Sequence, residues 1–386
     1  MAAAMPSTSD MPRLTKLEII GFRSILHQTV EFGDRTVLIG ANGAGKSNLI
    51  DFLRMLGFML GSESGLATFA GLFGPASALF FDGPKQTPTL EAHLWIETSQ
   101  GTNEYRFRLG YGAGESLIFL EEACRFSSRT RPSHNPRWTT LGAGGHRSPA
   151  LLHMDATGNQ RTQKTILELL RRVQVYQFHD TSRESRLKQE WAVDDNRYLR
   201  ADAGNIAPFL LRLREEYAAA YRRIAETIRL IAPFLDDFVL EPQNGRVALR
   251  WREIGSDFEF GPHQASDGTL RATCLVTLLL QPVETMPPVL VIDEPELGLH
   301  PFALHIVAGL LEAASKSHQF ILATQSPQVL DEFEADDVVV VERPHRASVF
   351  HRRSRIELQR WLDDYALSEL WNMNLLGGRP GQAAAE

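Results

Sequence analysis

The chain is short of the residues that mark secreted, membrane-spanning and zinc-stapled proteins. Only two cysteines, Cys124 and Cys274, occur in 386 residues. They lie far apart, in no CxxC or Cys/His spacing, so neither a disulfide framework nor a zinc site is indicated and a reducing cytoplasm fits best. No apolar run is long enough to span a bilayer. The most membrane-like stretch, 55–81, is interrupted by Glu63, Pro75 and several glycines and reads as a loop-rich helical segment. The opening MAAAMPSTSDMPR lacks the charged start and apolar core of a secretory signal and reads as a flexible leader. Positive charge is not in excess either. A net charge of −7 and a pI near 6.0 argue against a generally basic nucleic-acid binder, so local basic segments must be judged one by one. Internal repeats and long low-complexity tracts are also missing. What remains, 43% hydrophobic and 23% charged residues, is the composition of a globular protein with a large core.

The apolar periods come in an informative order. Segments 14–21 and 35–39 read as strands, and 47–59 has helical spacing. The runs TLEAHLWIE, EYRFRLGY and SLIFLEEACRF within 89–126 are rich in β-formers and separated by turn residues. They predict an antiparallel sheet inserted after the first helix. Residues 127–163 turn polar, glycine-rich and basic, as a loop would. Helical patterning returns at 164–172 and 205–230. Segments 238–240 and 246–252, joined around Asn244-Gly245, predict a β-hairpin. Strands at 289–292 and 320–323 with a helix at 303–315 between them form a βαβ unit.

The stretch GANGAGKSN, 40–48, stands between a buried strand and a helix and matches GxxxxGK[ST] in the context that motif requires. Glycines let backbone N–H groups close around phosphate, the helix N-terminus adds its dipole, Lys46 reaches the β/γ-phosphates and Ser47 can ligate Mg²⁺. Gly40, Asn42, Gly43, Gly45, Lys46, Ser47 and Asn48 are therefore the candidate phosphate-binding residues, with ATP and Mg²⁺ as the implied ligands. In VLVIDEPELGLHP, four apolar residues end in Asp293-Glu294. One carboxylate is then at the strand tip for Mg²⁺ and the second beside it to orient or deprotonate water. That pair points to hydrolysis and away from a P-loop kinase. Between the two motifs, QASDGTLR opens into an apolar helix. Taken alone, Ser266 or Asp267 would be an N-cap and nothing more.

Together, GANGAGKS, SDGT before a helix, VIDEPELGLHP, and ATQSP after the next strand resemble the ABC-class ATPase domains of RecF, SMC and OLD proteins. More narrowly, the chain is similar to the short bacterial RecF-like proteins labelled AAA family ATPases, from Leu14 to about Pro380. The resemblance implies an α/β P-loop fold of ABC type, with a mainly parallel core sheet flanked by helices, an antiparallel β subdomain, a helical lobe and no long coiled coil. It implies a leader at 1–13 and one ATPase domain at 14–386. The domain divides into a P-loop segment (14–60), a β sheet and basic loop (61–175), a helical lobe and hairpin (176–262), a signature, Walker B and switch segment (263–345) and a C-terminal segment (346–386).

It further implies a head-to-head homodimer in which Ser266 and Gly268 touch the γ-phosphate held by the other copy. Asp293 would serve Mg²⁺, Glu294 would polarise water, and 297–300 would cross the interface. Glu294, Gln325 and Lys46 are the implied catalytic residues. Arg23 in GFRSI occupies a position from which related ATPases approach the nucleotide; its other reading is a surface arginine capping a β-turn. Gln325 stands where ABC ATPases commonly carry histidine, and glutamine cannot act as an acid or base. The lobe-linking glutamine, a metal ligand by analogy, is Gln177 or Gln174, with Gln177 preferred. His179 and Asp180 read as an interlobe hydrogen-bonding pair, because no further ligand-like spacing accompanies them.

Partners are less legible. Arg125, Arg129, Arg131, Arg137, Arg147, Arg161, Lys164, Arg171 and Arg172 surround Trp138, and Arg343, Arg346, Arg352, Arg353 and Arg355 form a second group. Either could hold a phosphate backbone, and either could be a solvated surface. OLD proteins continue into a nuclease domain and SMC proteins into long coiled coils; neither is found here. The sequence thus points to an ATP-dependent switch acting on DNA or on a separate effector protein. The competing reading is a slow nucleotide-gated scaffold for which DNA is irrelevant.

Overall fold

The computed structural model describes residues 11–130, 136–153 and 160–378. Most of the expected leader, Arg131, parts of the 127–163 loop and Pro380 fall outside them. Along the chain, β1 (Arg13–Phe22) and β2 (Ile25–Glu31) precede β3 (Arg35–Ile39), α1 (Lys46–Gly61) and α2 (Gly65–Phe73). Next come β4 (Thr89–Thr98), β5 (Gly101–Gly112), β6 (Ser116–Ser128), β7 (Thr139–Thr140), α3 (Arg161–Leu170), β8 (Gln174–Tyr176) and β9 (Trp191–Ala192). Helices α4 (Ile206–Glu216) and α5 (Ala218–Ile231) lead to β10 (Leu235–Val239), β11 (Arg246–Val247), β12 (Arg250–Glu253), β13 (Glu259–Phe260) and α6 (Asp267–Leu280). The chain continues through β14 (Val289–Asp293), α7 (Pro301–Ser315), β15 (Gln319–Thr324), α8 (Pro327–Leu330), β16 (Val338–Glu342), β17 (Val349–Arg352), α9 (Arg355–Leu362) and α10 (Leu367–Asn372).

The core sheet has the order β17-β16-β3-β15-β14-β8, and all its pairings are parallel except that of the edge strand β17. Its strands are apolar at nearly every position because both faces are covered. Alternate residues divide between two cores. Leu38, Val291, Ile321, Ala323 and Val339 join one that includes α1 and the antiparallel sheet. Val37, Ile39, Ile292, Leu322 and Val340 join the other, built with α4 to α7. Parallel strands carry their C-terminal ends to one edge, so the loops after β3, β15, β14 and β8 meet there.

Three expectations change. The antiparallel sheet, β2-β1-β4-β5-β6-β7, takes in the N-terminal strands, with β1 between β2 and β4. A bulge between Leu14 and Lys16 turns both Leu14 and Leu17 inward, which seats β1 on the core. The Asn244-Gly245 turn exists, with both residues at positive φ, but the strand after it splits. Residues 246–247 pair with β9 and 250–253 pair with β10, so the simple hairpin becomes two small sheets. The helical run 205–230 is two helices, interrupted at Tyr217 with φ −133°.

Candidate functional site

The loop between β3 and α1 is shaped by close approach. A side chain on Gly40 would lie 2.2 Å from the Val341 carbonyl oxygen, and one on Gly45 would lie 2.0 Å from Ser348 Oγ. Both glycines also hold positive φ, as does Gly43, beside which there is open space. The loop is held from behind by Ser348, whose hydroxyl donates to Ala44 O at 2.6 Å, and by Ala41 N, which donates to Gly378 O at 2.9 Å. Asn42, Gly43 and Ser47 face solvent. Lys46 is buried, and its ammonium donates to Gly40 O at 2.6 Å and Ala41 O at 3.2 Å. Burial lowers its pKa, opposed by the charges of Glu294, Asp293 and Glu296. A lysine curled onto its own loop is a cation held ready for phosphate oxygens.

Across the edge, β14 ends in Asp293, only 8% exposed. Burial pushes its carboxyl up from 3.8 to about 6, and the neighbouring Glu294 adds to the shift. Glu294 lies at φ 49°, a left-handed turn that takes the chain off the strand. Its backbone N–H donates to Ala323 O at 2.8 Å, and its Oε1 accepts from Gln325 Nε2 at 2.5 Å. Glu296 pins the neighbouring strand end, accepting from Thr324 Oγ1 at 2.7 Å and Gln325 N at 2.9 Å.

Gln177, just past β8, is the glutamine that meets Asp293, its Nε2 lying 3.4 Å from Oδ2. Gln174 instead accepts from the Tyr176 hydroxyl at 3.1 Å. Gln177 turns its amide nitrogen toward Asp293 while its oxygen accepts from Arg54 Nη2 at 3.4 Å. Two other expected nucleotide contacts are engaged elsewhere. Arg23 pairs with Asp51 and donates to Phe73 O at 3.0 Å, and the Asn48 amide bonds Ser24. Both tie α1 to the antiparallel sheet and its connections.

The Ser266 loop opens α6. Ser266 Oγ accepts from Thr269 N at 3.1 Å, capping α6, and the residue is exposed. Gly268 is required by packing, since a side chain there would meet Gly298 O at 2.6 Å. Arg271 was not singled out by the sequence, although it closes the quoted QASDGTLR. It donates to Phe178 O at 3.1 Å, His179 O at 2.9 Å and Leu297 O at 3.2 Å. It thereby fastens the Ser266 helix to the segment after β8 and to the loop after β14. Glu296 was also missed; the third acid of DEPE was its signal.

Some members of the two basic groups are paired with acids. Arg125 bonds Glu104 at 2.7 Å, Arg346 bonds Asp82 at 2.7 Å, and Arg355 lies 3.6 Å from Glu334. Trp138 packs against the guanidinium groups of Arg106 and Arg125 at 4.2 and 4.5 Å. Among the described residues, no helix is long and apolar enough to cross a membrane.

Over residues 35–331 the sequence matches the family model described as "AAA domain, putative AbiEii toxin, Type IV TA system". No curated protein matches it. A solved Smc head bound to the C-winged helix domain of ScpA aligns over 90% of this chain and 99% of that one, with TM-score 0.60 and 18% identity. An Smc head domain with an extended coiled coil, bound to the C-terminal domain of ScpA and derived from Pyrococcus furiosus, aligns over 92% and 99%, with TM-score 0.57 and 15% identity. The Smc head domain with a coiled coil and joint from Pyrococcus yayanosii gives 92% and 99%, TM-score 0.53 and 14% identity. At these identities the likeness is one of fold.

Proposed function

The chain belongs to the AAA domain family whose model it matches and has the P-loop fold of Smc-head ABC-class ATPases, and from that premise we propose that it binds and hydrolyses Mg-ATP between two copies of itself. In this reading it is a cytoplasmic switch in DNA-related processes, either repair or anti-phage defence. The observation that carries the reading is the convergence of Lys46, Asp293, Glu294 and Gln325 on one edge of the core sheet, together with the exposure of Ser266.

Mg²⁺ usually binds through one or two protein ligands together with substrate phosphates and water. One buried carboxylate, Asp293, and one exposed hydroxyl, Ser47, fit that demand. No cluster of three or more His, Cys, Asp or Glu suited to a protein-only metal cage exists among the described residues. Bound there, the cation would neutralise the β/γ oxygens. Lys46 leaves its two carbonyls for the phosphates, the N–H groups of the loop and α1 enclose them, and Gln325 holds Glu294 where it polarises the attacking water. Ser266 and the N-terminus of α6 reach the γ-phosphate of the other copy. Phosphate release removes those contacts and the heads part.

A second reading, a slow scaffold that controls a protein effector, is favoured by the pairing of Arg125, Arg346 and Arg355 with acids and by Trp138 packing against two arginines. Two of the similar heads carry a domain of ScpA, which supports an effector protein as a partner. Steady-state ATP hydrolysis with and without duplex DNA separates the two, with Glu294→Gln as the control for contaminating activity. Stimulation by DNA supports a DNA-linked switch; turnover indifferent to DNA supports the effector.

A further inference from the structure

The residue at the usual histidine position is Gln325, yet a histidine does stand beside Glu294. It comes from a different strand end. His179, three residues past β8, places Nε2 at 3.8 Å from Glu294 Oε2. That nitrogen is buried and bonds nothing, which is costly for a polar atom unless a partner arrives at some stage. The direction of the ring follows from its neighbours. Gln177 gives its oxygen to Arg54 and its nitrogen to Asp293, so the amide direction is set by one cation and one carboxylate. The same nitrogen is 3.1 Å from His179 Nδ1. Nδ1 is then an acceptor, and the ring proton sits on Nε2, facing Glu294.

We propose that His179 is a positioning residue for Glu294, donating its Nε2–H to Oε2 while Gln325 donates to Oε1. At 3.8 Å the contact is longer than a hydrogen bond, and such contacts in unliganded sites commonly tighten in the reacting complex. Two donors on opposite oxygens fix the carboxylate's direction toward the water it polarises. The ring is also carried by a tethered segment. Arg271, in the first turns of α6, holds the backbone carbonyls of Phe178 and His179, so movement of the Ser266 helix is passed to the ring. The role usually given by one histidine is thus shared between Gln325 and His179.

The inference depends on the proposed role of Glu294 and is tested so that the two can fail separately. Turnover and the dissociation constant of a fluorescent ATP analogue are measured for wild type, His179→Ala, His179→Gln, His179→Asn and Glu294→Gln. Loss of an orienting partner costs about 10- to 100-fold in activity, so His179→Ala lowers kcat by that factor while the dissociation constant stays within about twofold. A glutamine amide nitrogen reaches the place of Nε2 and an asparagine amide only that of Nδ1, so His179→Gln recovers most of the rate and His179→Asn does not. Full turnover by His179→Ala with an inactive Glu294→Gln overturns this inference and leaves the role of Glu294 standing. Turnover by Glu294→Gln overturns both. Weakened nucleotide binding in all three His179 variants, or equal loss of rate in His179→Gln and His179→Ala, also overturns it by showing a structural role.

Discussion

The cleft under the phosphate loop and the face that carries Ser266 lie on the same domain, yet they are built differently. In the cleft the charged groups already have partners: Lys46 bonds two carbonyls of its own loop, Asp293 is met by Gln177, and Glu294 is held by Gln325. On the Ser266 face the polar cap is exposed, and Leu297 and Phe302 leave 39% and 54% of their surface to solvent. The first is the proposed phosphate and cation site, with its groups preset. The second is a surface with no ligand of its own, stiffened by Arg271 and by the close contact of Gly268 with Gly298. In the proposed dimer the second surface completes the first in another copy, which would give chemistry to one region and control to the other.

Four substitutions break that contrast at different points. Removing a general base costs about 10²–10⁴ in rate, so Glu294→Gln should abolish measurable turnover while retaining ATP affinity, as read by a phosphate-release assay beside calorimetry. Lys46→Ala deletes a charged donor worth about 1.5–3 kcal/mol. It should weaken ATP binding by at least about tenfold, and unchanged affinity would remove Lys46 from the phosphate site. Asp293 gives a pH signature. Its folded pKa, raised from 3.8 to about 6, means that its favourable contribution is present below the unfolded value and is lost as pH rises through about 6. Asp293→Asn should therefore stabilise the nucleotide-free protein at neutral pH, by on the order of 3 kcal/mol, and leave it unchanged near pH 3. Equal melting temperatures for both proteins at pH 7 would contradict the shift. The smallest effect on folding belongs to Ser266→Arg, which loses an N-cap worth about 1 kcal/mol. It should block closure of two copies without altering ATP binding by one, and normal ATP-dependent association would take Ser266 out of the interface.

What the sequence reveals follows the range of the interactions involved. The parallel core was legible because apolar runs ending in glycine or acid at 35–40 and 289–294 encode both a doubly covered strand and the polar turn at its tip. The place of β1 was not, because it depends on pairing Leu17 with Leu94 across a long stretch of chain that no local period records. The Asn244-Gly245 turn was legible from φ preference, whereas the exchange of partners beyond it depends on β9. At the site, the identities of Lys46, Asp293 and Glu294 came from motif context. The directions of Arg23 and Asn48 did not, since Asp51 and Ser24 claim them only once α1 is docked. His179 was read as an interlobe hydrogen bond because nothing in its spacing says that the end of β8 lies over the end of β14.

The most direct measurement is the mass in solution of Glu294→Gln under saturating Mg-ATP, by size-exclusion chromatography with light scattering, beside the same protein without nucleotide and the double variant with Ser266→Arg. The account predicts a dimer with ATP, a monomer without it, and a monomer in the double variant under both conditions. A Glu294→Gln protein that binds ATP and remains a monomer would contradict the claim that one copy's Ser266 face completes the other's phosphate site.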